Sequence, residues 1–169
     1  HAISKKEINL LEVGLGTALN ARLTCEQRKD REINYLALEK FPLNSEEIQK
    51  VKEAGGNKEA EILAIESGKP VEIEEGFTFE LSTIDVRKFN WITPRFDLVY
   101  FDAFAPSAQP ELWSEDIFQS LFDAMHSGGA LVTYCAKGVV KRTLKKVGFE
   151  VEALPGPPRK REMTRAWKR

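Results

Sequence analysis

Short apolar runs alternate with segments of helical length along this sequence, and that alternation constrains the fold more than any other feature. Strands joined by helices of roughly ten or more residues pair in parallel through right-handed crossovers. The last two apolar runs, residues 149–154 and 162–167, have no helix between them and are therefore expected to pair antiparallel. The sequence predicts an α/β fold with a mostly parallel open sheet, helices on both faces and a C-terminal antiparallel hairpin.

Turn and capping residues set the expected boundaries. Strands are predicted at residues 8–13, 33–39, 77–82, 96–101 and 130–135, with a hairpin arm at 71–73 and a first helix at 17–28. Asn44, with Glu47 three residues later, is typical of a helix N-terminus, and Ser114 is a second candidate N-cap. Apolar residues recur at helical spacing as far as Met125, so the helix after Ser114 is predicted to end only at Gly128.

Length and composition indicate one globular domain spanning residues 1–169. The chain is 30% charged and its mean hydropathy is −0.36, and no apolar stretch approaches the roughly 20 residues of a membrane span. Cys25 and Cys135 have no metal-ligand spacing and no paired base, so we interpret them as buried small hydrophobes rather than nucleophiles. These features favour the reducing cytoplasm and predict neither a membrane nor a metal partner.

The net charge of −1 hides a strong asymmetry. Residues 137–169 contain eleven Lys and Arg against three Asp and Glu, which leaves +8 there and −9 on residues 1–136. A basic segment of this kind can hold a polyanion such as RNA, but it can also be a solvated face. Salt-dependent binding would distinguish the two interpretations.

Acidic residues end the predicted parallel strands. In an open α/β sheet the ligand lies at the carboxyl ends of the strands, so these residues are candidate ligand contacts. Glycines after the first strand let the backbone approach a ligand, and an acidic residue ending the second strand can accept both hydrogen bonds of a ribose diol. The candidates are Glu12, Gly14, Gly16, Glu39, Asp85 and Asp102.

The glycine turn also indicates which nucleotide is bound. A dinucleotide fingerprint requires a third glycine where this chain has Leu19, and no Lys-Ser/Thr pair of a phosphate loop follows. Several carboxylates would repel a pyrophosphate but suit a cation, and S-adenosylmethionine carries both a sulfonium and an ammonium group. The alternative is that these acidic residues only cap neighbouring helices.

The sequence resembles the MnmC-type tRNA methyltransferase domain. Four blocks carry the resemblance in order: residues 11–20 (LEVGLGTALN), 39–43 (EKFPL), 101–107 continuing into 110–113 (FDAFAPS and PELW), and 159–163 (RKREM). The first block is typical of class I methyltransferases in general, whereas the third and fourth are more specific. The resemblance implies a Rossmann-like class I methyltransferase fold and S-adenosyl-L-methionine as cofactor. It also implies methyl transfer to the amine of 5-aminomethyl-2-thiouridine at the wobble position of tRNA.

Site residues follow from the strand ends and from this resemblance. The cofactor-binding candidates are Glu12, Gly14, Leu15, Gly16, Glu39, Asp85 and Asp102. An aliphatic amine must lose a proton before it attacks a methyl group, and Asp102 is the candidate catalytic residue that accepts it. The substrate-binding candidates are Phe104 and Pro106 at the pocket and Arg159, Lys160 and Arg161 on tRNA phosphate.

Family members normally carry a segment before the glycine turn, and the bifunctional ones carry an FAD-dependent oxidase domain. We therefore expect a stand-alone methyltransferase without the family's N-terminal segment, which depends on a separate enzyme for the aminomethyl group. Two alternatives stay open: an aminopropyltransferase related to the polyamine synthases, and an inactive cofactor-binding or RNA-binding module. Phe104 is equally compatible with a core position, and Trp113 is either a base-stacking or, more in keeping with its context, a buried residue.

Overall fold

Five of the eight strands that the structure describes take part in parallel pairs, in agreement with the alternating sequence pattern. The structure is a computed structural model and describes residues 5–91, 94–156 and 162–169. Its contacts cluster into two units, Lys5–Asp85 and Val86–Arg169. Among the described residues, no helix is long and apolar enough to cross a bilayer.

The unit Lys5–Asp85 contains four of the described strands. Its elements are β1 (Glu7–Val13), α1 (Leu19–Gln27), β2 (Glu32–Leu38), α2 (Ser45–Glu53), α3 (Asn57–Leu63), β3 (Val71–Glu74) and β4 (Phe77–Ser82). Strands β1, β2 and β4 are parallel in the order β4-β2-β1, and β3 is antiparallel to β4 as the hairpin arm predicts. Tyr35 packs against Phe77 and Phe79 with ring centroids 5.7 and 5.6 Å apart, and all three are buried. These aromatic contacts fix β2 and β4 side by side.

The unit Val86–Arg169 contains the other four described strands. Its elements are β5 (Phe96–Phe101), a 3₁₀ turn (Pro110–Trp113), α4 (Glu115–Ala124), β6 (Met125–Thr133), α5 (Gly138–Lys146), β7 (Glu150–Pro155) and β8 (Glu162–Trp167), preceded by a 3₁₀ turn at Val86–Lys88. Strand β6 is parallel to β5, and β8 pairs antiparallel with both β6 and β7. The predicted C-terminal antiparallel hairpin is therefore confirmed.

The predicted end of α4 is wrong. The helix ends at Ala124, and Met125 already has the extended backbone of β6, whereas helical apolar spacing predicts continuation to Gly128. Met125 is nevertheless buried, because the strand that it starts packs in the core. Lys168 caps this helix end, since its Nζ donates to the carbonyl oxygens of Phe122 and Met125 at 2.7 and 2.9 Å. The apolar spacing thus predicts that Met125 is buried, but it does not distinguish the last turn of a helix from the first residue of a strand.

The N-terminal boundaries of α2 and α4 agree with prediction. Asn44 accepts hydrogen bonds from the backbone of Glu46 and Glu47, and the Glu47 carboxylate accepts one from the backbone of Asn44 at 2.8 Å, which completes a capping box. The Ser114 hydroxyl accepts from the backbone of Ile117. Both caps satisfy donors that the first helical turn leaves without partners.

Candidate active site

The glycine turn after β1 has a left-handed backbone at three positions. Gly14, Gly16 and Ala18 have φ values of 88°, 54° and 61°. Glycine adopts this region without a steric penalty, whereas Ala18 does so at a cost. Because of this turn, α1 begins at Leu19 instead of the predicted residue 17. A Cβ at Gly16 would meet no heavy atom within 4 Å, so the turn leaves open space beside its backbone.

Glu39 lies at the end of β2 and is held by that turn. Its Oε2 accepts the backbone N–H of Leu15 at 3.1 Å and of Gly16 at 3.5 Å, and its Oε1 accepts the N–H of Phe41 at 3.0 Å. A carboxylate offers about four lone-pair sites, so Glu39 keeps acceptor capacity for a hydroxyl group. The structure thus brings together the predicted residues Gly14, Leu15, Gly16 and Glu39, with Glu39 oriented by backbone donors.

Glu12 is fully buried and its carboxylate is bonded inside the protein. Oε1 accepts the Asn20 side-chain N–H at 2.8 Å, and Oε2 accepts the Tyr35 hydroxyl at 2.7 Å. A buried carboxylate is costly unless it is hydrogen-bonded, and these two donors compensate that cost. Because Asn20 is on α1 and Tyr35 on β2, Glu12 connects three elements around the glycine turn. This geometry favours a role in positioning the turn.

Asp85 follows β4 and forms an ion pair with Lys40. The Lys40 Nζ lies 3.1 Å from Asp85 Oδ2, and the Asp85 side chain is only 9% exposed. The sequence predicts Asp85 as a negative charge that would repel a pyrophosphate, whereas the structure places a cation beside it. With Lys40 beside it, the Asp85 carboxylate is largely compensated and would not by itself repel a pyrophosphate.

Two exposed apolar side chains accompany these acidic residues, and the sequence analysis did not single them out. Phe41 is 73% exposed and lies two residues after Glu39, while Ile84 is 50% exposed and directly precedes Asp85. The two segments are neighbours, because Glu39 N–H donates to the Ser82 carbonyl oxygen at 3.0 Å. Large apolar side chains left in solvent often mark a binding surface. The available sequence signal was a large apolar residue within two positions of each strand-end carboxylate.

In the unit Val86–Arg169, the turn after β5 is held by two side-chain donors. The Tyr134 hydroxyl donates to the Ala103 carbonyl oxygen and the Trp113 indole N–H to that of Phe104, both at 2.8 Å. Burial, and then the negative charge of Asp102, raise the pKa of Tyr134 above its usual value, so the phenol stays protonated and remains a donor. These contacts fix the backbone that follows Asp102. Asp102 itself is exposed.

The structure resolves both aromatic alternatives of the sequence analysis. Phe104 is 74% exposed, so it is not a core residue, and Pro106 beside it is half-buried. Trp113 is buried, with its ring centroid 4.9 Å from that of Phe101, so its interpretation as a buried residue is confirmed. The exposed aromatic surface at this turn therefore comes from Phe104.

Three of the predicted substrate contacts, Arg159, Lys160 and Arg161, lie outside the residues that the structure describes. Cys25 and Cys135 are buried free thiols, as predicted. Burial, and then the Glu74 carboxylate, raise the pKa of Cys25 to about 11, which disfavours the nucleophilic thiolate. Across residues 5–91, 94–156 and 162–169, no three His, Cys, Asp or Glu side chains are arranged to hold a metal ion.

Solved structures identify the class of fold. MnmC2 from Aquifex aeolicus matches with a TM-score of 0.74 over 98% of this chain and 54% of that protein, at 21% sequence identity. Spermidine synthase from Thermotoga maritima matches with a TM-score of 0.63 over 96% of this chain and 54% of that one, at 17% identity. The predicted Rossmann-like class I methyltransferase fold is therefore confirmed.

The sequence match gives the family. The sequence model of a family described as S-adenosyl-L-methionine-dependent methyltransferase matches residues 29–169, and the chain belongs to that family. It is thus a methyltransferase whose cofactor is S-adenosyl-L-methionine, as predicted. The glycine turn at residues 14–16 lies before the matched range.

Among proteins of similar sequence is the tRNA 5-methylaminomethyl-2-thiouridine biosynthesis bifunctional protein MnmC of Leptospira interrogans. It is 32% identical over 180 residues, which cover 91% of this chain and 26% of that protein. The MnmC of Marinomonas is 28% identical over 180 residues, with 96% of this chain and 26% of that protein covered. The chain therefore spans about a quarter of the length of these relatives.

Proposed function

We propose that this chain transfers a methyl group from S-adenosyl-L-methionine to the amine of 5-aminomethyl-2-thiouridine at the wobble position of tRNA. The observation that carries the proposal is the similarity to MnmC proteins over 91% of the chain, because the name of those relatives specifies biosynthesis of the methylaminomethyl product. Two exposed residues at the turn after β5 support the proposal. Asp102 can accept the proton that the substrate amine must lose, and Phe104 can stack on the uridine base.

In this proposal the cofactor is bound mainly by the residues around Glu39. The free acceptor capacity of Glu39 suits the ribose diol, and the exposed side chains of Phe41 and Ile84 suit the faces of the adenine ring. The backbone of Gly14, Leu15 and Gly16 would lie against the amino acid end. Glu12 and Asp85, which the sequence analysis proposed as contacts, would act by holding the turn and Lys40 in place.

The reaction is a direct displacement at carbon. The neutral amine nitrogen attacks the methyl carbon, the new C–N bond forms as the S–CH₃ bond breaks, and S-adenosylhomocysteine leaves with the electron pair of that bond on its sulfur. The proton that the nitrogen must lose is accepted by the Asp102 carboxylate, directly or through water. Because the sulfonium is already reactive, most of the acceleration would come from alignment of nitrogen, carbon and sulfur.

The proposed partners are tRNA and the enzyme that makes the aminomethyl group. The substrate already carries this group, so a separate active site must generate it before the methyl transfer. We place the reaction in the cytoplasm, where buried free thiols such as Cys25 and Cys135 stay reduced. Arg159, Lys160 and Arg161 would contact tRNA phosphate, as their charge suggests.

The test is nucleoside analysis of tRNA incubated with the protein and S-adenosyl-L-methionine. The tRNA comes from cells that lack this methyl transfer and therefore accumulate 5-aminomethyl-2-thiouridine. We expect conversion to the 5-methylaminomethyl nucleoside, and no change in a matched tRNA whose wobble uridine is unmodified.

Calorimetry and a second donor separate the alternatives. Aminopropyl transfer from decarboxylated S-adenosylmethionine to a diamine would identify a polyamine-synthase-like enzyme. Cofactor binding without methylation would identify the inactive module. Either result would overturn the proposed function.

A further inference from the structure

The basic C-terminal segment is partly neutralised by its own carboxylates. Residues 137–169 contain three acidic residues, and each of them forms an ion pair with a basic residue of the same segment. The pairs are Lys141–Glu162 at 2.7 Å, Arg165–Glu152 at 2.6 Å and Arg169–Glu150 at 2.7 Å. The positive charge of this segment is therefore not spread evenly over its surface.

Two further cations have partners in the same unit. Lys146 pairs with Glu115 at 2.6 Å, and Lys168 donates to the carbonyl oxygens that end α4. Three of the segment's described basic residues remain. In the described part of the chain, no carboxylate lies within ion-pair distance of Lys137, Arg142 or Lys145, and all three residues are exposed.

These three cations belong to α5 and its N-cap. Val140 and Leu144 are the buried residues of the helix, and a rotation of about 100° per residue puts Arg142 and Lys145 on the opposite, outward side. Lys137 is the N-cap. We call the exposed surface of Arg142 and Lys145, together with Lys137 at the N-terminal end of the helix, the α5 basic face.

The α5 basic face extends from the end of the sheet that carries Asp102. Helix α5 follows β6, and β6 is parallel to β5, so the N-terminus of α5 lies at the edge of this sheet where Asp102 follows β5. The Arg142 guanidinium is folded back toward that end. Its Nη1 lies only 3.2 Å from the position that a Cβ at Gly138 would occupy, so a larger residue than glycine would crowd it.

We propose that the α5 basic face binds the phosphate backbone of the tRNA substrate beside the wobble nucleotide, an inference that rests on the proposed function. Cations that face no carboxylate in the described part of the chain keep their full charge for an external anion, whereas Lys141 and Lys146 are already compensated by Glu162 and Glu115. Each phosphate that such a cation neutralises releases condensed counterions, so binding energy is gained without any base contact. The contacts position the RNA and leave the choice of nucleotide to the turn after β5.

The experiment measures tRNA affinity between about 50 and 200 mM salt, the range in which phosphate contacts are most evident. We expect the double variant Arg142→Gln/Lys145→Gln to reduce the slope of log affinity against log salt by about two, one for each lost contact. The matched control is Lys141→Gln/Lys146→Gln, which removes the same charge from the same helix. Its slope should stay that of the unchanged protein, because those lysines face carboxylates.

Methylation kinetics give a second readout. The Arg142→Gln/Lys145→Gln variant should raise KM for tRNA while kcat and the affinity for S-adenosyl-L-methionine stay unchanged, which also shows that it is folded. Equal slope changes in the two double variants, or no tRNA binding by the unchanged protein, would overturn the inference. If the unchanged protein binds tRNA with the expected slopes but does not methylate it, the proposed function fails and the α5 basic face stands as an RNA-binding surface.

Discussion

The Tyr134 hydroxyl donates a hydrogen bond of 2.8 Å to the carbonyl oxygen of Ala103, the residue that directly follows Asp102. Tyr134 comes just after β6 and Ala103 just after β5, so this bond joins the ends of two parallel strands. A second donor, the Trp113 indole, holds the next carbonyl, that of Phe104. The backbone around the candidate proton acceptor is therefore fixed by side chains that do not need to touch the substrate themselves.

Replacing Tyr134 by Phe removes this hydrogen bond and keeps the ring. A net hydrogen bond is worth about 1 kcal/mol, so we expect kcat to fall roughly fivefold as the turn loosens. KM for tRNA and the affinity for S-adenosyl-L-methionine should change little. The matched control is Thr143→Val, which removes a hydroxyl that donates to the Val139 carbonyl oxygen on α5. Equal losses of kcat in both variants would contradict the positioning role.

Asp102→Asn should remove most turnover, because an amide cannot accept the amine proton. Loss of a positioned general base typically costs at least about 100-fold in rate. The affinity for S-adenosyl-L-methionine should change only modestly, since the reacting proton belongs to the substrate. Single-turnover methylation of tRNA, measured together with calorimetry of cofactor binding, checks both expectations. A variant with unchanged turnover would exclude Asp102 as the proton acceptor.

Glu39→Gln should weaken cofactor binding without a large effect on folding. Hydrogen bonds to a charged group contribute about 1.5–3 kcal/mol, so we expect Kd for S-adenosyl-L-methionine to rise about 10- to 100-fold. Glu66→Gln is the matched control, because Glu66 is an exposed glutamate that follows α3. Isothermal calorimetry of the two variants provides the comparison, and equal Kd values would argue against a ribose contact.

Glu12→Gln should reduce stability more than cofactor affinity, which is the opposite of the effect expected for Glu39→Gln. One carboxylate oxygen that now accepts from Asn20 or Tyr35 would be replaced by an amide donor inside the core. We expect the free energy of unfolding to fall by about 2 kcal/mol, as for other buried polar groups that lose a partner. Denaturant unfolding measures this loss, and it should exceed the loss in Glu39→Gln. A stable Glu12→Gln variant with greatly weakened cofactor binding would favour direct contact instead.

The buried thiol of Cys25 predicts a pH dependence of stability. Its pKa is about 11 in the folded protein, against an ordinary value of 9.0. Between these values the unfolded chain has lost a proton that the folded chain still holds, so the free energy of unfolding decreases as pH rises from about 9 to about 11. Urea unfolding of the Cys25→Ala variant should show a smaller decrease than the original protein over that range. Identical pH profiles would show that Cys25 does not contribute.

Local patterns were sufficient for most of the secondary structure. The capping box at Asn44 acts through neighbours only two and three residues away, so its sequence signature is nearly the whole interaction. The alternation of Phe77, Phe79 and Leu81 with polar residues likewise predicts one buried face of β4, and all three are buried. Such features need no knowledge of distant residues.

Long-range contacts explain what the sequence did not show. The end of α4 is capped by Lys168, more than forty residues away, and no local pattern predicts that contact. The candidate cofactor site also contains contacts that no local sequence pattern predicts. The position of Glu39 at a strand end predicts its role as a cofactor contact, but the buried partners of Glu12 and the ion pair between Lys40 and Asp85 depend on how the strands are arranged.

Strand β7 pairs only with β8 among the described strands, so one side of its backbone is available to another chain. Its residues Glu150 and Glu152 form ion pairs with Arg169 and Arg165, so these two carboxylates of the basic segment already have cationic partners. Charged side chains along an exposed strand edge discourage a second polypeptide from adding to the sheet. The two glutamates that pair with Arg165 and Arg169, and not with the α5 basic face, thus also give this edge the charged side chains that disfavour aggregation through it.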